Sequence, residues 1–277
     1  MYALTLRTRR SVGRWSNMTG GLILLAVLLF PVYWMVNLSL SPGGSTLTSE
    51  LFPADPSLQG YKTAIADQGG NLVTSLLVAL GSVALSLAVA TPAAYAIAQF
   101  RLKGARILLL AVVVGQMIPG IVLANALYDA FNKLGLLNSI LGLILANATA
   151  GVPFAVLIIS AFMQAVPPGI IEAARVDGAG HVRAFLSVVL PVSTNALVTA
   201  GIFSFLFAWS DFLFALTLTT TERVRPITLG IYQYIGTQVT NWNSVMATAV
   251  LASIPAVILL VSAQKFIAAG ATGGAIK

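Results

Sequence analysis

From Gln68 to Phe100 the chain runs for 33 residues without an Asp, Glu, Lys or Arg. A stretch of that kind cannot cover the surface of a water-soluble fold, whereas roughly 20 apolar residues suffice for a helix to cross a bilayer. Five other stretches are long and apolar enough: about Met18 to Leu38, Ile107 to Tyr128, Leu141 to Met163, Asn195 to Thr219 and Met246 to Gln264. Only 8% of the 277 residues are charged, against about 25% in soluble domains. The solvent for most of the surface is therefore lipid, and the chain is expected to be an all-α integral membrane protein with six transmembrane helices. No segment between the spans is long enough to fold alone. The expected organisation is a single transmembrane domain over 1–277, with a leader at 1–17, a six-helix bundle at 18–268 and a tail at 269–277.

The net charge of +7 does not mark a nucleic-acid binder. Such proteins gather Lys and Arg on one face, whereas here they form short clusters between apolar runs. Six spans put both termini on one side. Eleven of the fifteen basic residues fall on that side, in the leader (Arg7, Arg9, Arg10, Arg14), the Arg101–Arg106 loop, the Arg175/Arg183 loop and the tail. Lys62, Lys133, Arg223 and Arg225 fall on the other. By the positive-inside rule both termini are cytoplasmic. The first span follows a basic leader as a signal peptide would, but its apolar run is too long and no small-residue cleavage site follows, so it reads as an uncleaved span. With no cysteine and one histidine, a metal site is not expected, and no span holds the paired nucleophile and base of a hydrolase.

The loop between the fourth and fifth spans, 167–191, carries most of the information. Pro168 suits the first turn of a helix, and Gly178 can take the left-handed conformation that ends one. A second short helix is expected from about His181 to Leu190, stopped by Pro191. Val182, Phe185, Leu186 and Val189 would form its apolar stripe. Two short helices joined by Asp177-Gly178 read equally well as a docking element or as an amphipathic pair lying on the inner leaflet.

Within that loop, Glu172-Ala173-Ala174, three residues, Gly178, nine residues, Val188, one residue and Leu190-Pro191 resemble the EAA signature of ABC importer permeases, with Val188 where isoleucine is usual. Thr91 to Ala96, Pro153-Phe154, Ala208 to Phe212, Trp242 with Met246-Ala247, and Gly270 to Lys277 resemble in order and spacing the smaller permease of maltose-type carbohydrate importers. The resemblance implies the type I importer fold in a bacterial-type cytoplasmic membrane. It also implies a second homologous permease, two ATPase subunits that bind ATP and Mg, and an extracytoplasmic solute-binding protein. Glu172, Ala173, Ala174, Asp177, Gly178, Leu190 and Pro191 would then form the coupling element seated in the ATPase. The chain has no phosphate-binding G-x-x-x-x-G-K-[ST] loop of its own. The tail resembles the family's C-terminal extension, although Ala271 replaces a common leucine and a final glycine is missing.

Asp211 lies inside the expected fifth span, where a charge costs about 2.5–3.5 kcal/mol on insertion scales. Together with Trp209, Ser210 and Gln116 it is a candidate for the solute pathway, the alternative being an aspartate near the outer interface, partly hydrated or bonded to a neighbouring helix. Asn125, Asn147 and Asn195 read as interhelical glue, and His181 as a solvated loop residue. In maltose-type systems the last outer loop reaches toward the binding protein, which makes Tyr232, Tyr234, Asn241 and Trp242 contact candidates beside the alternative of an interfacial aromatic belt. The function expected is translocation of a sugar-like solute by an ATP-driven importer. The competing class is an ion-coupled secondary carrier, which tends to show intramembrane acids and inverted repeats; Asp211 alone speaks for it.

Overall fold

The computed structural model describes residues 2–42, 50–100, 102–221, 223–236 and 241–272, and the side chains of these except 2–16, 233–236 and 265–272. Every regular element among them is helical. In chain order these are α1 (Tyr2–Leu40), α2 (Gln59–Gln99), α3 (Ala105–Gly115), α4 (Gly120–Leu134), α5 (Ile140–Gln164), α6 (Pro168–Val176), α7 (His181–Ala184), a π-helical turn (Phe185–Val189), α8 (Leu190–Val192), α9 (Thr194–Trp209), α10 (Leu213–Leu218), α11 (Ile227–Gly236) and α12 (Trp242–Thr272).

Four spans are continuous: Asn17–Leu40, Gln59–Gln99, Ile140–Gln164 and Trp242–Gln264. The third and fifth are not the straight helices expected. α3 and α4 meet at 92°, and the helical segment His181–Val192 meets α9 at 75°. Gly115 and Pro119 explain the first break: Pro119 sits in an extended conformation (φ −57°, ψ 131°) at the entry to α4, and a proline has no N–H to continue α3. The expected fifth span, Asn195 to Thr219, is interrupted at Ser210–Phe212, and only the short α10 follows. Pro31, Pro92, Pro153 and Pro255, by contrast, are carried inside continuous helices.

The chain packs as two compact units, one formed by residues up to Asp67 with Tyr234–Leu251, the other by Gln68–Gln233 with the remainder of α12. In the first, the end of α1 is tied down by polar contacts: Asn37 Nδ2 donates to the Glu50 carbonyl (2.8 Å), and the Ser39 and Tyr61 hydroxyls bond at 2.7 Å. The large apolar side chains of α1 from Leu22 to Phe30, which fall on every face of the helix, are half or more exposed, as a lipid-facing span requires.

The second unit is held by rows of small residues spaced four apart, which let helix backbones approach closely. Ser82, Ser86, Ala90 and Ala94 on α2, Gly151 and Ala155 on α5, and Ala196, Ala200, Ser204 and Ala208 on α9 are all buried. Of the two small-residue pairs evident on α2, Ser86 and Ala90 lie on this packed face, while Ala84 and Ala88 point outward. Where the rows cross, a Cβ on Gly151 would lie 2.4 Å from Ser86 Oγ, so this position admits only glycine as the side chains stand.

Candidate coupling elbow and pathway

α6 is built by its ends. Pro167 (φ −57°, ψ 129°) leads in, Pro168 occupies the first helical position, and Gly178 closes the helix at φ +85°. The closing bonds run from Ala179 N–H to the Ala174 carbonyl (3.0 Å) and from Gly178 N–H to the Arg175 carbonyl (3.1 Å). That pair is a Schellman cap. One side chain anchors α6: Ile171 is buried against Tyr95, Met163 and Val189. Its neighbours Glu172 and Ala173 face outward, Ala174 is half-buried, and Asp177 and Gly178 form the exposed tip.

The second half of the elbow differs from expectation. Pro191 does not stop the helix. The turn ahead of it widens to the π form over Phe185–Val189, helical turns continue through Pro191 to Val192, and the chain bends at the buried Ser193. A proline ring clashes with the carbonyl four residues before it, and a wider turn relieves that clash. The widening also divides the expected stripe: Ala184 and Val189 are buried and Phe185 half-buried, while Val182 and Leu186 are 72% and 54% exposed. Leu190 is half-buried and Pro191 exposed.

Aromatic contacts that the sequence did not reveal bracket the elbow. Tyr95 packs on Phe185 (4.9 Å between ring centres) and on Phe100 (5.7 Å), and Phe100 meets His181 at 5.3 Å. His181 is thus exposed but leaning on a ring, not simply solvated. Between them lies a cavity of about 430 Å³ bordered by Tyr95, Phe100, Gln164, Glu172, Arg175 and His181. α6 therefore stands off the bundle on Ile171, with space behind it.

The pathway candidates gather at the two helix breaks. Gln116 lies in the α3–α4 break, exposed, with its Nε2 donating to the Ala150 carbonyl at 3.3 Å. Ser210 and Asp211 lie in the α9–α10 break. The breaks adjoin: a Cβ on Gly120, at the start of α4, would lie 3.1 Å from Leu213 at the start of α10. Beyond this point α4 and α10 pack through Ala124, Phe131, Phe214 and Leu218. Asp211 is half-buried and caps α10: its Oδ1 accepts from Phe214 N–H and its Oδ2 from Ala215 N–H, each at 3.1 Å. The Asn147 side chain also bonds it, and its carbonyl accepts the Thr228 hydroxyl at 2.6 Å. Ser210 returns its hydroxyl to the Leu206 carbonyl (2.7 Å). Trp209 is buried, stacked on Phe205, with its indole N–H donating to the Ala252 carbonyl at 3.0 Å. It faces the helix interface. Asn125 is exposed on α4, and Asn195 half-buried on α9.

On the outer side, α11 is seated on α2 by Ser75, whose buried Oγ accepts the Ile227 N–H at 2.8 Å. Tyr232 is 57% exposed and meets Phe212 edge-on at 5.1 Å. Asn241 is exposed and Trp242 half-buried at the start of α12. The side chains of Tyr234 and Gln238 and the end of the tail, 273–277, lie outside the described residues.

A family model described as the binding-protein-dependent transport system inner membrane component matches residues 86–272, which takes in the elbow, both breaks and all of α12. The chain belongs to that family. Relatives agree along nearly the whole length. This permease is 31% identical over 259 residues to the trehalose transport system permease protein SugB of Mycobacterium tuberculosis (92% of this chain, 94% of the relative). It is 32% identical to the trehalose/maltose transport system permease protein MalG of Thermococcus litoralis (93% and 95%). A bacterial ABC transporter involved in alginate import superposes with a TM-score of 0.79 at 22% identity, covering 94% of this chain and 97% of that one. That likeness shows the fold, a type I importer permease with four continuous and two broken spans. No comparison supports an ion-coupled carrier.

Proposed function

We propose that this permease moves a sugar or sugar-like solute into the cytoplasm as one of two homologous membrane subunits, driven by two ATPase subunits and supplied by an extracytoplasmic binding protein. The observation that carries the reading is the elbow. It offers an outward Glu172-Ala173 face on a helix fixed by one buried anchor and closed by a left-handed glycine, in a chain whose relatives are named as permeases for trehalose, maltose and diacetylchitobiose. A helix whose one buried side chain, Ile171, shares a core cluster with Tyr95, Met163 and Val189 would pass a push on its exposed face to α2, α5 and the turn at Val189.

The ATPase partners would bind ATP and Mg, close on each other, and carry the elbow with them, rocking the bundle between inward- and outward-facing states. The paired breaks supply the pathway reading. Non-helical backbone at membrane depth is tolerated where it is buried in protein or lines a watery passage, and Gln116, Ser210 and Asp211 sit on such backbone. The exposed apolar residues Met117, Ile118, Ile121 and Val122 beside them offer the surface a second permease would cover. A solved relative of the same fold is a bacterial alginate transporter in complex with a periplasmic protein carrying an alginate pentasaccharide, and this supports a binding-protein partner. On this reading the protein resides in the inner membrane with both termini cytoplasmic.

The test is uptake of labelled disaccharides by proteoliposomes holding the full complex. Uptake should need ATP inside, need the binding protein outside, and survive collapse of the proton gradient. Uptake by the permease without an ATPase, or uptake abolished by an ionophore with ATP present, would sink the reading.

A further inference from the structure

Asn138 is the single non-glycine residue with positive φ (+56°) among the described residues. That conformation strains an ordinary side chain and favours asparagine only mildly, so its occupancy here calls for compensation. The turn that holds it is unusually determined. Gly135 ends α4 at φ +68°, and Ser139 Oγ caps α5 by accepting the Gly142 N–H at 2.9 Å. Gly142 in turn lies so close to the Leu136 carbonyl that no Cβ fits.

From this turn Asn138 reaches across to the exit of α10. Its N–H donates to the Leu218 carbonyl (3.0 Å), and its Oδ1 accepts from the N–H groups of Thr220 (2.7 Å) and Thr221 (2.9 Å) and from the Thr221 hydroxyl (3.1 Å). Its Nδ2 donates to Thr220 Oγ1 at 3.2 Å. α4 and α10 are therefore tied at both ends, by Gly120 against Leu213 at the helix breaks and by Asn138 against Leu218–Thr221 at the rim. The rim is extracytoplasmic by the distribution of Lys and Arg.

We infer that Asn138 is a positioning residue: it holds the α4–α5 turn and Leu218–Thr221 together as one rigid surface of the outer rim for the solute-binding protein. The inference rests on the importer reading above. With the clasp open, the chain after α10 is free to sample other positions, and the binding protein must order it on arrival. That cost appears in the affinity of docking and not in the catalytic rate of the assembled complex.

The experiment uses the whole complex in nanodiscs and titrates solute-loaded binding protein against ATPase rate. Asn138→Gly keeps the backbone conformation and removes the acceptor. The half-saturating concentration should rise about tenfold, as loss of about 1.4 kcal/mol requires, with the maximal rate within about twofold of wild type. Asn138→Asp retains the acceptor oxygen and should lie within about threefold of wild type. Because the chain has no cysteine, the double variant N138C/T221C supplies a control in one preparation: reduced, it should raise the half-saturating concentration at least as far as Asn138→Gly, since cysteine also carries the left-handed strain, and oxidised, it should return toward wild type. A lower maximal rate at unchanged half-saturation, or reduced and oxidised forms that titrate alike, would overturn the inference while leaving the importer reading intact. A wild-type complex whose ATPase ignores the binding protein would overturn both.

Discussion

The crossing of α2, α5 and α9 permits a sharp test of how the bundle is held. A Cβ added at Gly151 would meet Ser86 Oγ at 2.4 Å, Ser86 Cβ at 3.4 Å and Ser204 Oγ at 3.5 Å. Carbon and oxygen approach to about 3.3 Å at closest without strain, so the first contact is short by nearly 1 Å and the other two are acceptable. Ser86 is fully buried, and its hydroxyl has nowhere open to turn. Overpacking of this kind costs about 1–3 kcal/mol, while exchanging a mid-helix glycine for alanine returns about 1 kcal/mol of helix propensity. Gly151→Ala is expected to lose up to about 2 kcal/mol. Ser86 Oγ has no hydrogen-bond partner among the described residues, so Ser86→Ala orphans nothing and is expected to be neutral or mildly stabilising. With the oxygen gone the closest contact to the new methyl becomes 3.4 Å. The double variant should therefore match or exceed wild type, with a coupling energy of about 1–3 kcal/mol between the two sites. Thermal denaturation of the purified complex at one fixed scan rate reads this as about 2–4 °C per kcal/mol. If Gly151→Ala melts above wild type, or the two substitutions show no coupling, the close helix crossing is not what holds these three spans.

Three further expectations follow from the same geometry. A Cβ at Gly178 would touch nothing within 4 Å, so Gly178→Ala adds only left-handed strain of about 1–2 kcal/mol. It should leave insertion and assembly intact and lower transport-coupled ATPase, with Gly178→Asn milder; unaltered coupling in both would remove the turn from the mechanism. Asp211→Asn keeps a capping oxygen for α10 and should assemble normally, whereas Asp211→Ala loses both caps and about 1 kcal/mol, read as a lower melting temperature. A changed half-saturating solute concentration in Asp211→Asn at normal stability would instead make Asp211 a solute ligand. Ser75→Ala leaves the buried Ile227 N–H without an acceptor and should cost about 1–3 kcal/mol, measurable as faster proteolysis around α11; an unchanged digestion pattern would refute the seat.

The parts of this chain that were legible in its sequence are those fixed by local rules. Pro168 at a helix start and a left-handed Gly178 at its end depend on residues within one turn, and both stand where expected. Spans were legible as apolar lengths but not as angles. Hydropathy averaged over Ile107 to Tyr128 does not register a 92° bend, although Gly115 and Pro119 mark its edges. Pro191 misled for a related reason: a proline excludes the regular turn before it, but the chain can widen that turn as well as end the helix. Asn138 was out of reach because its partners lie 82 and 83 residues away. The Leu-Asn-Ser turn hints at its backbone conformation and says nothing about Thr220 and Thr221.

The positions of the polar residues within the bundle follow from the breaks. Where the fifth span is interrupted after Trp209, freed N–H groups have no water to turn to in hydrocarbon, and the Asp211 carboxylate meets them. Asp211 serves Phe214 and Ala215 there, while on the outer side Ser75 serves Ile227, and Asn138 serves Thr220 and Thr221. A break that carries its own acceptor keeps its backbone satisfied whatever the angle between the half-helices, because Asp211 lies at the break itself. A straight span bending at the same place would have to break helix bonds in every cycle. Asp211 is therefore first the cap of α10, and any contact with solute would have to use lone pairs that this cap leaves over.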